Sequence, residues 1–413
     1  MNSSPAQNSD SHYDVIIVGG GMVGLTLACA LGQEDFRVAI IEARQPEDIA
    51  ADDDYEIRVS AISKSTQQVF HSVQAWQGML DRRVCAYQHM HVWDATGDGR
   101  IDFDAADAGL DALGHIIENR VIQFALLERC LKLDTVDVLC PRQISEIQPS
   151  ETRPGVVLAD GARLTAELLV GADGAHSRVR EAAGIEISQS AYRQKAVVAV
   201  VNSSLHHKDT AWQRFLPSGP LAFLPLGDGS CSIVWSAEDG RADELLAMDD
   251  EQFSRELQLA FENTLGRVEK ISQRAAFPLV RRHARHYVKA RLALVGDAAH
   301  TIHPLAGQGV NLGVLDAASL AEVLTVARAE AKDFADRKTL RKYERWRKAD
   351  NSLMMYSMSG FKNLFSNEQP PLTLLRNVGL NLVDNLGPLK QKFMRHALGL
   401  EGDLPQMARS VGW

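Results

Sequence analysis

The sequence predicts an α/β protein: a lobe of strand–turn–helix units, an antiparallel sheet inserted into it, and a helical C-terminal tail. Three observations predict this. Short apolar runs end in glycine-and-acid turns near residues 19, 171 and 296, far apart along the chain. Between them lie segments of strand character bounded by turn residues. Beyond Asp350 the apolar residues fall at helical spacing instead.

The first unit is Tyr13–Val18, an apolar run that leads into Gly19-Gly20-Gly21-Met22-Val23-Gly24, with Leu25–Leu31 continuing at helical spacing. In a strand–turn–helix setting Gly19 permits the tight turn, Gly21 lets a pyrophosphate approach the backbone, and Gly24 lets the helix pack on the strand. Arg37–Ile41 is the next strand and ends in Glu42, about 20 positions on, where a carboxylate holds a ribose. This is a Rossmann-like dinucleotide site. Arg44 follows closely, either near the adenosine half or as a solvated surface residue.

The second unit, Leu168–Val170, runs into Gly171-Ala172-Asp173-Gly174 and then His176, Ser177, Arg178 and Arg180. The third, Leu292–Val295, ends at Gly296-Asp297, whose carboxylate can accept hydrogen bonds from a sugar-like hydroxyl chain. The chain then bends at Pro304. Gly307 and Gly309, with Gln308 between them, let the backbone approach a planar ring. A helix opening near Val310 and Asn311 aims its free N–H groups at an electron-rich atom of that ring.

The inserted sheet is expected from Tyr87–Trp93, Ile101–Phe103, Lys195–Asn202, Gln213–Leu216, Leu221–Leu226 and Ser230–Ser236, with a hairpin turn at Gly227-Asp228-Gly229. One side of it must cover the cofactor. Phe215, Leu221, Phe223 and Trp235 are therefore expected to line an apolar aromatic pocket, with core packing as the alternative for at least two of them. In the tail, Leu353, Met354, Met355, Met358, Phe361, Leu364 and Phe365, then Leu372, Leu374, Leu375, Leu380, Leu382 and Val383 beyond Pro370-Pro371, form an amphipathic stretch. It packs on the cofactor lobe or a second subunit, or it meets a lipid chain or membrane.

Over about residues 12–350 the order of these motifs resembles the single-component flavoprotein aromatic hydroxylases, the fold typified by para-hydroxybenzoate hydroxylase. Glu56–Ile62, Gly114–Asn119 and the uninterrupted Gly296–Gly313 resemble the ubiquinone-biosynthesis branch of that family, of the VisC type. Val92-Trp93-Asp94, Leu221–Leu226, Cys231–Ser236 and Tyr343-Glu344-Arg345 carry the likeness further. The resemblance implies FAD as cofactor, held at its ADP part by Gly19, Gly21, Gly24 and Glu42, and at its ribityl chain by Gly296 and Asp297. It implies that Asp173 and Gly174 lie beside FAD and serve NAD(P)H, and that Arg58, Ser60, Asn119 and Gln123 sit near the flavin, Arg58 helping to close the pocket. The alternatives are that Arg58 pairs with the Asp52–Asp54 run and that Asn119 caps a helix Val121–Leu131.

The chemistry implied is hydroxylation of a polyprenylphenol ring in ubiquinone biosynthesis, at position 5 of the ubiquinone ring, using O2 and NAD(P)H through a flavin C(4a)-hydroperoxide. His303 or His300, beside Pro304, is placed to relay the phenol proton, with a structural hydrogen bond as the expected fate of His300. Another ring position, a small aromatic acid as substrate, or an FAD-binding scaffold without turnover remain as alternatives. A buried arginine facing the flavin would favour the acid.

Composition agrees. At 413 residues two closely packed lobes are expected. The cofactor lobe is discontinuous, 12–80, 105–185 and 280–350, with 81–104 and 186–279 as the substrate lobe and 351–413 as the helical tail. A net charge of −9 argues against nucleic acid as a partner. The basic stretches Arg281–Arg291 and Arg337–Lys348 are local exceptions, the second a solvated helix face or a contact for anionic lipid. Five cysteines show no metal or disulfide spacing, no metal is expected, and His12, His206 and His207 read as surface residues. No window reaches the roughly 20 uninterrupted apolar residues of a spanning helix. A cytoplasmic enzyme is expected, peripheral at the inner face of the membrane, with a homo-oligomer through the tail and proteins of a ubiquinone-biosynthesis complex as partners.

Overall fold

The computed structural model describes residues 11–46, 49–50, 53–301, 309–365, 399 and 402–409. The cofactor lobe is built on a sheet whose order is Val288–Lys289, Leu292–Leu294, Arg163–Gly171, Ser11–Val18, Val38–Ile41 and Val136–Leu139. The last five strands pair in parallel. Fully buried Val15, Ile16, Ile17, Leu168, Leu169, Val170, Ala293 and Leu294 make up the middle strands, as expected of a parallel sheet covered on both faces. Helices Met22–Gln33 and Gly309–Ala329 cover it, packed against each other.

Register does the decisive work. Val18 lies opposite Gly171, and Gly171 opposite Leu294, so the three glycine-and-acid turns leave adjacent parallel strands at the same level. Ligands of open α/β sheets sit outside such carboxyl ends.

A second, nine-stranded sheet runs in the order His300–Thr301, Ala275–Ala284, Ile187–Ser203, Cys231–Glu238, Gly219–Pro225, Thr210–Leu216, His89–Asp94, Arg100–Asp104, with Val268–Ile271 also on Ile187–Ser203. The expected hairpin is present: Pro225 faces Cys231 and the Leu226 N–H donates to Ser230 O at 2.9 Å. Thr210–Leu216 and His89–Asp94 pair in parallel, contrary to the all-antiparallel expectation. The chain joins these two strands through other elements of the protein, not through a hairpin.

Tyr87–Trp93 is likewise not one strand. Tyr87 faces Gly114 in a three-stranded sheet of Val59–Ile62, Gly114–Glu118 and Cys85–Tyr87, while His89 faces Thr210 in the large sheet. Residue 280 falls inside the strand Ala275–Ala284, which passes from one expected lobe to the other.

Helices Asp239–Ala247 and Asp250–Ala260 cover one face of the large sheet. Helix Gly309–Ala329 is long and apolar enough to cross a membrane by length and composition, yet thirteen of its residues, Asp316 among them, are buried in the core of this fold. His207 is buried and not on the surface: its Nε2 lies 3.1 Å from Leu226 O and its Nδ1 accepts the Asp209 N–H.

Candidate active site

The three turns are in van der Waals contact. A Cβ added to Gly19, which has φ +109°, would lie 2.4 Å from Ala172 O. One added to Gly24 would lie 2.0 Å from Gly19 O and 3.2 Å from the Ala172 Cβ. The Val23 side chain fills the space beside Gly296 and Gly313, where added Cβ atoms would meet it at 3.2 and 2.7 Å. First, second and third motifs therefore touch through positions that only glycine can occupy.

Gly21 is different. Among the described residues nothing lies within 4 Å of an added Cβ there, and its φ of −77° is open to any residue, so there is room at the start of the first helix. That is the vacancy an anionic pyrophosphate needs at a helix N-terminus. Gly20, unremarked in the fingerprint, is also constrained: its N–H donates to Glu42 Oε2 at 2.7 Å, and an added Cβ would sit 2.6 Å from the Glu42 Cβ. Glu42 Oε1 accepts from the Arg44 N–H at 3.0 Å, which fixes the carboxylate at the end of its strand. The Arg44 side chain is exposed. Gln123 ties helix Asn119–Cys130 to the loop, its Nε2 donating to Gly20 O at 2.7 Å.

The second turn is braced by Asp173, whose Oδ2 accepts the Val179 N–H at 3.1 Å while its buried Oδ1 has no partner among the described residues. Gly174, at φ +78°, borders open space. Arg180, 9% exposed, donates to Ala175 O at 3.0 Å and to Ala298 O at 2.9 Å, bridging the second and third turns.

Asp297 is accessible to solvent yet enclosed enough for burial to raise its pKa, against the pull of His300, Arg58 and Arg282. Its carboxylate stands just beyond the carboxyl end of Leu292–Leu294. It has no hydrogen bond to another described residue, so its acceptors are available to a hydroxyl chain. Gly296, at φ +58°, makes the bend that presents it.

Among the described residues nothing lies within 4 Å of an added Cβ at Gly309, where helix Gly309–Ala329 begins, and Val310 packs on the core. Asn311 pins this end to the three-stranded sheet, donating to Ala61 O at 2.8 Å and accepting the Ser63 N–H at 3.1 Å. Ser60 Oγ donates to Asn119 Oδ1 at 2.7 Å. Asn119 thus opens its helix without capping it; Glu118 holds the cap position. Arg58 is exposed and lies over the Phe277 ring at 5.4 Å, whereas Asp53 pairs with Arg120. His303, Pro304, Gly307 and Gln308 lie outside the described residues.

Strand alternation sorts the expected pocket residues. Leu221, Phe223 and Trp235 point to the helix-covered face and pack there with Phe253, Leu257 and Phe261. Ala211, Ala222, Leu224 and Val234 point to the opposite face, toward Ala61 and Ile116 of the three-stranded sheet, and Phe215 shares the phase of Ala211. A small cleft, about 30 Å³, opens here between Ala61, Ile116, Tyr87, Met90, Gln213 and Leu224. Burial pushes the Tyr87 phenol up to about 12. Arg214 belongs to the far face, donating to Ala260 O and Glu262.

Sequence reasoning missed the group beneath the third turn. Asp316, fully buried, accepts from Gly296 N–H at 3.1 Å, lies 2.5 Å from His300 Nε2, and accepts from Arg347 Nε at 2.9 Å and Asn351 Nδ2 at 3.1 Å. Burial alone would raise its pKa; His300 and Arg347 outweigh that and hold it at about 2. His300 is thus a structural hydrogen-bonding partner. A lone acid inside the apolar run Gly313–Ala317 was the available signal.

Adjacent strand ends, a glycine cradle and a covering sheet make a dinucleotide-binding site of the open α/β kind. The family description "FAD binding domain" matches residues 12–355. The chain is 39% identical over 387 residues to the 3-demethoxyubiquinol 3-hydroxylase of Escherichia coli (strain K12), covering 94% of this chain and 98% of that one. It is 37% identical over 407 residues to the ubiquinone hydroxylase UbiL of Rhodospirillum rubrum, covering 98% and 94%. Human mitochondrial ubiquinone biosynthesis monooxygenase COQ6 is 36% identical over 441 residues, covering 94% and 93%. The crystal structure of p-nitrophenol 4-monooxygenase PnpA from Pseudomonas putida DLL-E4 shares the fold, with TM-score 0.78, 20% identity and coverage of 95% and 99%. The chain belongs to the FAD-dependent hydroxylases of ubiquinone biosynthesis. FAD is its cofactor and NAD(P)H the reductant of this family.

Proposed function

We propose that this enzyme hydroxylates a 2-polyprenylphenol at position 5 of the ubiquinone ring. One observation supports the substrate class: the sheet face turned toward the three-stranded sheet carries Ala196, Val198, Ala211, Phe215, Ala222, Leu224 and Val234 beside the buried, uncharged Gln213, Ser232 and Ser236, and among the described residues no buried arginine faces it. The buried arginines Arg180, Arg214 and Arg347 are all directed elsewhere, onto backbone carbonyls or carboxylates. A soluble aromatic acid needs a cation in an otherwise dry pocket; a greasy phenol needs its absence.

Bound FAD supplies the oxygen chemistry, and the chain binds, orients and shields. Gly21 and the first-helix N–H groups hold the pyrophosphate, Glu42 the ribose, and Asp297 the ribityl chain. Asp173 and Gly174 stand where NAD(P)H approaches, and Arg58, Ser60, Asn119 and Gln123 border the cofactor. The free N–H groups at Gly309–Asn311 offer dipoles to the reduced ring. Leu224, Ala222 and Phe215 keep water from the reacting phenol.

The name of the Escherichia coli relative favours a second reading, hydroxylation of a demethoxyubiquinol at position 3. Purified holoenzyme given NAD(P)H and either 2-polyprenylphenol or 3-demethoxyubiquinol, with products identified by mass spectrometry, separates the two. Turnover of the phenol to a 5-hydroxylated ring supports the first; product from the demethoxyubiquinol alone supports the second. A cytoplasmic enzyme meeting the inner membrane face, with complex partners and self-association through residues 351–413, completes the proposal.

A further inference from the structure

The flavin motifs do not explain why a fully buried carboxylate sits under the third turn, nor why a helix near the end of the described chain supplies two of its four donors. Asp316 divides its oxygens between two tasks. Oδ2 takes the Gly296 N–H at 3.1 Å and faces His300 at 2.5 Å; Oδ1 takes Arg347 Nε at 2.9 Å and Asn351 Nδ2 at 3.1 Å. All three partner side chains are at most 2% exposed.

The same helix, Arg337–Phe365, grips the strand that leads into this turn and the residue before the neighbouring strand Val288–Lys289: Tyr343 OH donates to Leu294 O at 2.8 Å, and Glu344 accepts the Tyr287 N–H at 2.8 Å. Residues 343, 347 and 351 repeat every fourth position and so form one stripe on the helix. Gly296 is bent at φ +58°, and the residue it presents is Asp297. A turn in that conformation holds one orientation only if its N–H has a fixed acceptor. A buried carboxylate is such an acceptor only while its own charge is matched.

We propose that Asp316, held by Arg347 and Asn351, is a positioning residue for FAD: it acts through the Gly296 bend to aim Asp297 into the cofactor cleft. The inference is independent of which ring position is hydroxylated.

The test is a double-mutant cycle read as FAD affinity of the apoprotein, followed by flavin fluorescence, with Asp316→Asn, Asp297→Ala and both together. Asn keeps the shape but loses the charge and sets an amide against donors. We expect about a tenfold weaker FAD dissociation constant for Asp316→Asn, a larger loss for Asp297→Ala, and a double variant within about twofold of Asp297→Ala alone. A purely structural role lowers the apoprotein melting temperature and multiplies the two affinity losses. Multiplied losses, or wild-type affinity in folded Asp316→Asn, overturn the proposal. If Asp316→Asn does not fold, Asn351→Ala, which removes one donor to Asp316 and one acceptor for Arg347, replaces it in the same cycle with the same two outcomes.

Discussion

Gly21 and Gly24 are three residues apart, yet the structure assigns alanine at each a different consequence. At Gly24 a methyl would sit 2.0 Å from Gly19 O, so the helix must retreat by about 1 Å from the strand end it packs on. Overpacking of this kind costs about 1–3 kcal/mol, felt in the apoprotein whether or not cofactor is present. At Gly21 the methyl enters open space and the backbone already lies in a region any residue adopts. The weaker helix cap that Ala makes and the reduced freedom of the unfolded chain offset each other to within about 0.5 kcal/mol, leaving the apoprotein unchanged.

The Gly21 methyl does occupy the pyrophosphate seat. Lengthening or losing one or two charge-assisted backbone hydrogen bonds, at about 1.5–3 kcal/mol each, weakens FAD by roughly 10- to 100-fold or more. Thermal melts of both apoproteins, with fluorescence titration of FAD, check this. Gly21→Ala is expected to melt like the parent and bind FAD poorly; Gly24→Ala fails in both. A Gly21→Ala protein that binds FAD with parental affinity refutes the reasoning, because the gap at the helix start is then not where the dinucleotide lies.

Asp297→Ala is expected to purify nearly colourless, and full retention of yellow flavin contradicts its assignment to the ribityl chain. Acid stability hinges partly on His115, 8% exposed, whose Nδ1 has no partner among the described residues. Burial, helped by Lys64 and His71, lowers its pKa from 6.5 to about 4. The unfolded chain takes up that proton first, so stability present above pH 6.5 is lost as pH falls toward 4, by about 3 kcal/mol in all. Urea melts of His115→Phe between pH 7 and 4.5 should show this part of the slope removed; an unchanged slope counts against it. Leu224→Asn puts an amide into the apolar cleft and is expected to raise KM for a polyprenylphenol about tenfold with FAD content unchanged. An unaltered KM would move the substrate away from that face.

The glycine turns were legible because their constraints are local: each glycine answers to a bend or a contact a few atoms away, as Gly19 and Gly24 show. Their convergence depends on Arg163–Gly171 lying between Ser11–Val18 and Leu292–Leu294, an order of strands that local pattern does not contain. The resemblance to a known family supplied it. Leu221, Phe223 and Trp235 were expected in the pocket because they are the large apolar residues of these strands, yet they pack on the helix-covered face, while the phase of Ser232, Val234 and Ser236 meets the three-stranded sheet. Burial of both faces left the phase alone unable to say which one meets the cofactor. Tyr87–Trp93 read as one strand because a change of sheet at Gln88 leaves the apolar pattern intact.

The most direct measurement of the central claim is incorporation of isotopically heavy dioxygen. Holoenzyme supplied with NAD(P)H, heavy O2 and a polyprenylphenol should yield a prenylated ring product carrying one heavy oxygen, in step with NAD(P)H consumed. Reductant consumed with only peroxide formed, and the phenol recovered unlabelled, would contradict the account.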